Sequence, residues 1–240
     1  MTKMKQMTCL LAAAAIIGGA SQLQAGDILV KDNDKIAFMG DSITHAGAKP
    51  GGYVSLVISG LKSAGVKTTA IPAGVSGHKS NQMLARLEKH VLSRKPDWMT
   101  LSCGVNDVSQ GMRGFDIKEY EKNIAEMVDR CLAAEIKVMI LTSTMVKEDQ
   151  SLPLNQRLIA YNDVLIEIAK KRNLPVADLN AEMQAAIKAR KDKKDGKLLT
   201  TDGVHMNPDG NKMMAVGVLK AFGLDQKQIE KAQKNWDKGK

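Results

Sequence analysis

The feature that most constrains the fold is a regular alternation of short apolar runs with longer segments of helical periodicity. Five of these runs are short, apolar and rich in residues that favour strands. They begin with the run at Ile36 and continue with Thr68–Ala73, Trp98–Cys103, Lys137–Leu141 and Pro175–Leu179. Strands that alternate with helices are typical of βαβ units, in which the strands are parallel and the crossovers right-handed. The sequence therefore predicts an α/β fold built on one five-stranded parallel sheet.

The segments between these runs carry apolar residues at helical spacing. The predicted helices are Tyr53–Ala64, Asn81–Leu92, Asp116–Ala134, Leu154–Arg172 and Asn180–Arg190. Gly65 is a good stop signal for the first of them, and Pro208 suits the first turn of a closing helix. No repeat and no low-complexity linker interrupts the pattern, so we expect a single domain.

The N-terminal segment has the pattern of a cleaved secretory signal, which predicts an exported protein. Lys3 and Lys5 are followed by an apolar core, Leu10–Ala20, which is too short to span a bilayer, and the segment ends at the small residue Ala25. We therefore expect a signal peptide over residues 1–25, with cleavage near Ala25 into the periplasm or the medium, and no membrane insertion of the mature chain.

The remainder is expected to form one domain over residues 26–225, followed by a charged C-terminal tail over 226–240 that forms a surface helix or a frayed end. The formal net charge of the full chain is +9. The excess is concentrated in Lys188–Lys197 and in the tail, where interspersed carboxylates argue against a nucleic-acid partner. A positive field that attracts an acidic polysaccharide stays open as an alternative.

Cys103 and Cys131 are the two cysteines after the leader, and both lie in apolar periodic segments. Cysteine in such segments behaves as a small buried hydrophobic residue, so two free thiols are favoured over a disulfide. No spacing of His, Cys or carboxylate residues resembles a metal site, and no glycine-rich phosphate loop is present. We expect no cofactor.

Four polar clusters stand where predicted strands end or where the closing helix begins. They are Gly40–Thr44, Gly74–Gly77, Gly104–Asp107 and Asp202–His205. Each alone is compatible with an ordinary turn or helix cap. Together they offer a serine nucleophile in Ser42, a neutral imidazole base in His205, and in Asp202 a carboxylate that can fix the imidazole tautomer. Asp41 and Asp107 are expected to hold loops by accepting backbone N–H groups.

In their order, and over nearly the whole chain after residue 25, these clusters resemble the four sequence blocks of the SGNH, or GDSL-type, esterase and lipase family. The resemblance implies a three-layer α/β/α sandwich, flavodoxin-like, around a five-stranded parallel sheet. It also implies that Ser42 is the nucleophile and that Asp202 and His205 complete the triad. The implied oxyanion hole consists of the Ser42 and Gly74 backbone N–H groups and the Asn106 side-chain amide.

One departure from the family pattern is Pro72, two residues before Gly74, where the second block often has asparagine. The loop that carries Gly74 must therefore be held in another way. His78 follows this loop, either as a substrate contact or as an ordinary exposed histidine. Outside the strands, only Tyr53 and Trp236 are conceivable as residues that stack on a sugar, and this low aromatic content argues against a long polysaccharide cleft.

The resemblance implies an exported serine esterase that removes short acyl groups, most notably acetyl, from a carbohydrate or another small polar ester, as exported bacterial carbohydrate acetylesterases do. A lysophospholipase or thioesterase of the same family is the alternative enzyme. A non-catalytic carbohydrate-binding protein is the alternative of another class, and it predicts the loss of at least one chemical group. Ser42, Asp202 and His205 are all present.

Overall fold

A computed structural model describes residues 27–109, 116–190 and 197–238. The expected signal peptide lies outside the described residues, as does most of the lysine-rich segment after Arg190. Within the described ranges, no helix is long and apolar enough to cross a membrane.

The centre of the fold is one sheet of five parallel strands in the order β2-β1-β3-β4-β5. The strands are β1 (Lys35–Gly40), β2 (Thr69–Gly74), β3 (Trp98–Ser102), β4 (Lys137–Leu141) and β5 (Val176–Ala177). β5 is shorter than the predicted Pro175–Leu179 because the next helix already begins at Leu179. The predicted fold class is confirmed.

Helices cover both faces of the sheet. They are α1 (Ser42–Gly47), α2 (Tyr53–Ser63), α3 (Ser80–Ala85), α4 (Leu87–His90), α5 (Val105–Ser109), α6 (Ile117–Ala133), α7 (Pro153–Lys171), α8 (Leu179–Ala189), α9 (Pro208–Ala221) and α10 (Gln226–Lys238). Because successive strand residues point to opposite faces, β1 feeds two separate cores. Ile36 and Phe38 pack in the cluster that contains α2, α9 and α10, whereas Ala37 and Met39 pack in the cluster that contains α3, α6 and α7.

The predicted helix Asn81–Leu92 is wrong in one respect, because it is broken into α3 and α4 at Arg86. Arg86 has φ −104° and ψ 4°, outside the helical range, and its side chain is buried beneath the sheet edge. The apolar periodicity survives the break since Met83 and Leu87 are both fully buried. The apolar periodicity therefore gives no sign of the break between α3 and α4.

The C-terminal segment, which we expect to be a charged tail, forms α10 over nearly all of its length. Although the segment is mostly polar, it has three apolar residues at the spacing of one helix face, namely Ile229, Ala232 and Trp236. These three side chains are buried in the same core cluster as α2 and α9. Residues 226–238 thus close one side of the molecule.

The two cysteines are free and buried, as predicted. Burial raises the pKa of the Cys131 thiol to about 12, and burial together with the nearby Asp107 carboxylate raises that of Cys103 well above its usual range. Neither thiol is therefore reactive at neutral pH.

Candidate active site

Ser42 lies at the carboxyl edge of the sheet because β1 ends at Gly40 and α1 begins at Ser42. Asp41 caps the helix, and its Oδ1 accepts the Ile43 N–H at 2.9 Å. The helix-cap interpretation of this cluster is therefore correct for Asp41, and it leaves the neighbouring hydroxyl free to face the site. The Ser42 N–H is in the first helical position, where an amide has no partner within the helix.

The loop before α9 brings an imidazole to this hydroxyl from 163 residues away. His205 Nε2 lies 2.9 Å from Ser42 Oγ, and His205 Nδ1 lies 2.6 Å from Asp202 Oδ2. With Nδ1–H donated to the carboxylate, Nε2 is left as the acceptor for the hydroxyl proton. The structure thus places the three predicted residues in one hydrogen-bonded chain with the geometry of a nucleophile, a base and an orienting carboxylate.

Asp202 is held as an anion by the turn it initiates. The pKa of Asp202 is strongly lowered, first by the His205 backbone N–H, then by the His205 ring and the Val204 N–H. Gly203 makes this turn possible, since its φ of +95° is a backbone conformation that residues with a Cβ rarely adopt. The side chains of His205 and Asp202 are 40% and 54% exposed, so the site is open to solvent.

Gly74 and Asn106 reach the same edge from the strands that flank β1. Gly74 ends β2, where a Cβ would collide with the backbone of Thr44 and His45, so only glycine allows this close approach. The Val75 N–H is donated to Gly40 O at 3.0 Å, so the Gly74 N–H, one peptide earlier, points away from β1.

Asn106 lies on α5, which follows β3. Its Nδ2 donates to His78 O at 3.2 Å and to Asp41 Oδ2 at 3.4 Å. Both bonds are long, which leaves the amide available to a stronger acceptor. The structure therefore brings Ser42, Gly74 and Asn106 to the ends of three adjacent strands, and the loop before α9 brings Asp202 and His205 to Ser42.

Asp41 and Asp107 hold the loops around the site, as expected. Asp107 Oδ1 accepts the Ser80 N–H at 3.0 Å and so ties α5 to α3. Both carboxyls are buried, and burial raises the pKa of Asp107 and raises that of Asp41 to about 6. The proximity of His205 counteracts part of the shift at Asp41.

Arg86 is a site residue that the sequence patterns do not reveal. Its NH1 donates to Ala73 O at 2.7 Å and its NH2 to Gly40 O at 2.8 Å, so one guanidinium joins the ends of β1 and β2. This clamp is how the loop after Pro72 is held. Burial lowers the pKa of Arg86 to about 10, which leaves it charged at neutral pH.

Glu148 is a second residue that the sequence patterns miss. It is 8% exposed, and its carboxylate accepts the N–H groups of Leu198, Leu199 and Thr200 and the Thr200 hydroxyl at 2.7–2.8 Å. The adjacent Lys147 N–H donates to Gly203 O at 2.6 Å. The loop after β4 is thus fastened to the segment that carries Asp202 and His205.

His78, Tyr53 and Trp236, which the sequence offers as possible substrate contacts, are all at least partly buried. His78 is partly buried, and its Nδ1 accepts from Arg86 Nε at 3.1 Å. Tyr53 is fully buried, with its hydroxyl 2.9 Å from Thr44 Oγ1, so it is not available to stack on a sugar. Trp236 is 8% exposed and packs in the core, at the edge of a cavity.

This cavity of about 640 Å³ is lined by residues of α1, α2, α9 and α10, and neither Ser42 nor His205 is among them. Its wall includes Thr201 and Met206, which flank the Asp202–His205 turn, and Ala46, which lies one helical turn after Ser42 on the same face of α1. Lys49 and Trp236 line its outer part. Within the described ranges, no group of three or more His, Cys, Asp or Glu side chains is arranged to hold a metal ion.

The parallel sheet carries a serine, a histidine and an aspartate, linked by hydrogen bonds, at its carboxyl edge. This arrangement is typical of the active site of a serine hydrolase. The model of the GDSL-like lipase/acylhydrolase family matches residues 38–213. The chain belongs to this family, and it is a carboxylic-ester hydrolase.

Two relatives and one solved structure show which esterases this chain is similar to. An acetylxylan esterase from Geobacillus stearothermophilus is 25% identical over 82% of this chain and 97% of its own length. The crystal structure of the acetyl xylan esterase AlAXEase matches with a TM-score of 0.71 and 32% identity over 78% of this chain and 98% of that one. Thioesterase 1/protease 1/lysophospholipase L1 of Escherichia coli K12 is 24% identical over 62% of this chain and 64% of its length.

Proposed function

We propose that the chain is an exported esterase that removes acetyl groups from a carbohydrate through an acyl-enzyme on Ser42. The observation that carries the proposal is the 2.9 Å contact between Ser42 Oγ and His205 Nε2, backed by the Asp202 carboxylate at 2.6 Å. The similarity to two acetylxylan esterases supports acetyl as the acyl group and a glycan as the alcohol.

The mechanism follows from the positions of the groups. His205 Nε2 takes the proton of the Ser42 hydroxyl as its oxygen attacks the ester carbonyl carbon, and the carbonyl oxygen becomes an oxyanion. The proposed donors to that oxyanion are the Ser42 N–H, the Asn106 amide and, on the family resemblance, the Gly74 N–H. His205 then gives its proton to the departing sugar oxygen. In the second half, His205 activates water, which releases acetate and restores the serine.

The surroundings of the site support a small acyl group and a polar alcohol. The exposed His205 and Asp202 leave space for a bulky leaving group. Thr201 and Met206, on either side of their turn, line a cavity of about 640 Å³ that is large enough to hold sugar units. Its wall carries the hydroxyls of Ser55, Ser59 and Thr201 beside the apolar Met206. The expected leader over residues 1–25 supports export, where plant or microbial glycans are accessible.

The test compares hydrolysis of p-nitrophenyl acetate, butyrate and octanoate by the wild type, Ser42→Ala and Ser93→Ala. Ser93 is an exposed serine before β3, at the end of the sheet opposite the site, so it is a matched control. We expect acetate to be preferred, Ser42→Ala to lose activity by a factor of about 10⁴ or more, and Ser93→Ala to equal the wild type.

Acetylated xylo-oligosaccharides are then compared with lysophospholipid and acyl-thioester substrates. Release of acetate from the glycan at higher kcat/KM than from the other substrates supports the proposal. A preference for octanoate, lysophospholipid or thioester assigns the chain to the lipid or thioester side of the family instead. Equal rates for the wild type and Ser42→Ala would exclude the serine mechanism and favour a binding protein.

A further inference from the structure

The outward face of α10 carries four lysines in a row. Each of them follows the previous one by three or four residues, the spacing that keeps side chains on one helix face. All four are exposed, and the opposite face of the helix is the buried one. Because a helix rises about 1.5 Å per residue, the row is about 17 Å long. This lysine row consists of Lys227, Lys231, Lys234 and Lys238.

No carboxylate in the described part of the chain forms an ion pair with the lysine row. Asp237 of the same helix is paired with Lys212 of α9. Glu230 accepts a hydrogen bond from Gln226 at 3.0 Å. Like charges three or four residues apart destabilise a helix, and a cation in the first turn, such as Lys227, opposes the helix dipole. Helix stability therefore does not explain the row.

The lysine row leads toward the catalytic edge of the sheet. α9 begins just after the Asp202–His205 turn and is followed by Phe222, whose ring centroid lies 5.5 Å from that of Trp98 at the start of β3. α9 thus ends at the amino edge of the sheet, and α10 returns from there. Its last turns line the same cavity as Thr201 and Met206, which flank the Asp202–His205 turn. An extended ligand bound along the row would therefore approach the edge that holds the triad.

The composition of α10 favours one kind of partner. Its apolar residues all lie in the core, so no apolar face is free to enter a bilayer, as a membrane-binding amphipathic helix requires. The helix has no arginine to bind phosphate groups as a fork and no exposed aromatic ring to stack on bases. Lysines are compact point charges on flexible stems, which suit carboxylates that are spaced along a linear chain.

We propose that the lysine row of α10 anchors an acidic polysaccharide, so that acetylated units of the same chain reach the triad. The inference rests on the proposed function, because a glycan substrate is what selects a polysaccharide among linear polyanions. The row touches no reacting atom. It should therefore strengthen the binding of an acidic polymer and leave the chemistry at Ser42 unchanged.

The test measures binding by the Ser42→Ala protein, which cannot form an acyl-enzyme. The acidic polymer is partly acetylated polygalacturonate, and the neutral one is acetylated glucomannan. The row variant changes all four lysines of the row to Gln, which has a similar helix propensity. The control variant has the same net charge, because it changes four exposed lysines of α4, α6 and α7 to Gln. These lysines form no ion pair with a described residue and are Lys89, Lys118, Lys122 and Lys171.

At about 0.02 M salt, we expect the row variant to bind polygalacturonate about 10- to 100-fold more weakly than the Ser42→Ala protein, and the control variant to stay within about threefold of it. The slope of log Kd against log salt concentration should be smaller for the row variant, because fewer counterions are exchanged. Glucomannan should bind equally to all three proteins.

Kinetics with Ser42 intact give a second readout. The row variant should raise KM for acetylated polygalacturonate about tenfold and leave kcat at the wild-type value. Its turnover of p-nitrophenyl acetate should also equal that of the wild type, which shows that the variant is folded.

Equal binding of polygalacturonate by the row and control variants would overturn the inference, because net charge alone would then account for the affinity. Tighter binding of phosphatidylserine vesicles or of duplex DNA than of polygalacturonate would overturn it as well, by assigning the row to another partner. Wild-type protein that shows no Ser42-dependent hydrolysis would refute the proposed function. The binding assay involves no catalysis, so it still decides whether the row holds an acidic polysaccharide.

Discussion

At the scale of single residues, Asp41 shows that the site is built at a cost to stability. It is 3% exposed, and burial raises its pKa from 3.8 to about 6. The folded protein therefore holds this proton more tightly than the unfolded chain does. Ionisation of Asp41 destabilises the fold, so its effect is absent below about pH 4 and fully present above about pH 7, where it amounts to about 3 kcal/mol.

Asp41→Asn tests this effect, because the amide keeps an oxygen for the Ile43 N–H but cannot ionise. The free energy of unfolding of the variant minus that of the wild type should rise by about 3 kcal/mol between pH 4 and pH 8. Urea unfolding at each pH measures it. Asp163→Asn, which removes an exposed carboxyl on α7, is the control and should give a difference that is constant with pH. A constant difference for Asp41→Asn would contradict the raised pKa.

At the scale of elements, the turn that carries Asp202 and His205 depends on a loop that is distant in sequence. Glu148 has φ +55°, an unusual conformation for glutamate, and its carboxylate accepts four hydrogen bonds from residues 198–200. Three of the four are made by Oε1. Since these residues immediately precede Asp202, Glu148 sets the path of the chain into the turn.

Glu148→Ala should lower the free energy of unfolding by about 3 kcal/mol, because it leaves three backbone amides, two of them buried, without an acceptor. Glu148→Gln keeps the oxygen that accepts three bonds and should lose about 1 kcal/mol. Both variants should lower kcat in the same order, since the Asp202–His205 turn is displaced. Thermal unfolding and turnover of p-nitrophenyl acetate measure the two effects. A kcat equal to the wild-type value in both variants would show that the Asp202–His205 turn keeps its position without Glu148.

The same elements show what the sequence could and could not predict. Each motif that defines the site lies at a strand end or a helix start, so local patterns and the family resemblance locate Ser42, Asn106 and His205. The break at Arg86 and the role of Glu148 depend on acceptors or donors 46 and 50–52 residues away along the chain. A charged residue in an amphipathic helix or in a polar loop has no local signal for such a partner.

The burial of Tyr53 and of the C-terminal segment could not be predicted from the sequence for the same reason. Tyr53 begins a helix beside the site, yet its ring packs edge-on against Phe38, with their centroids 6.3 Å apart. The tail has few apolar residues, but three of them lie on one face of α10 and meet α2. Which face of a short helix is covered depends on the neighbouring elements, and these are fixed only by the tertiary fold.

At the scale of the whole molecule, the remaining question is how charge guides a substrate to this open site. The formal net charge of the chain is +9, of which the expected leader contributes two. Lys49, which lines the cavity next to the C-terminal end of α1, forms no ion pair with any described residue, whereas Lys212 in the same lining is paired with Asp237. A carboxylate on the substrate would therefore meet an available cation near the site.

This arrangement predicts that salt weakens the hydrolysis of acidic substrates more than that of neutral ones. The screening length falls from about 30 Å at 0.01 M salt to about 3 Å at 1 M. Across that range, kcat/KM for an acetylated oligosaccharide with a uronic acid should fall about tenfold, and the value for its neutral counterpart should change by less than about twofold. Lys49→Gln should reduce the difference between the two substrates, whereas Lys62→Gln, at the far end of α2, should leave it intact. Identical salt profiles for both substrates would mean that the positive charge serves solubility rather than recognition.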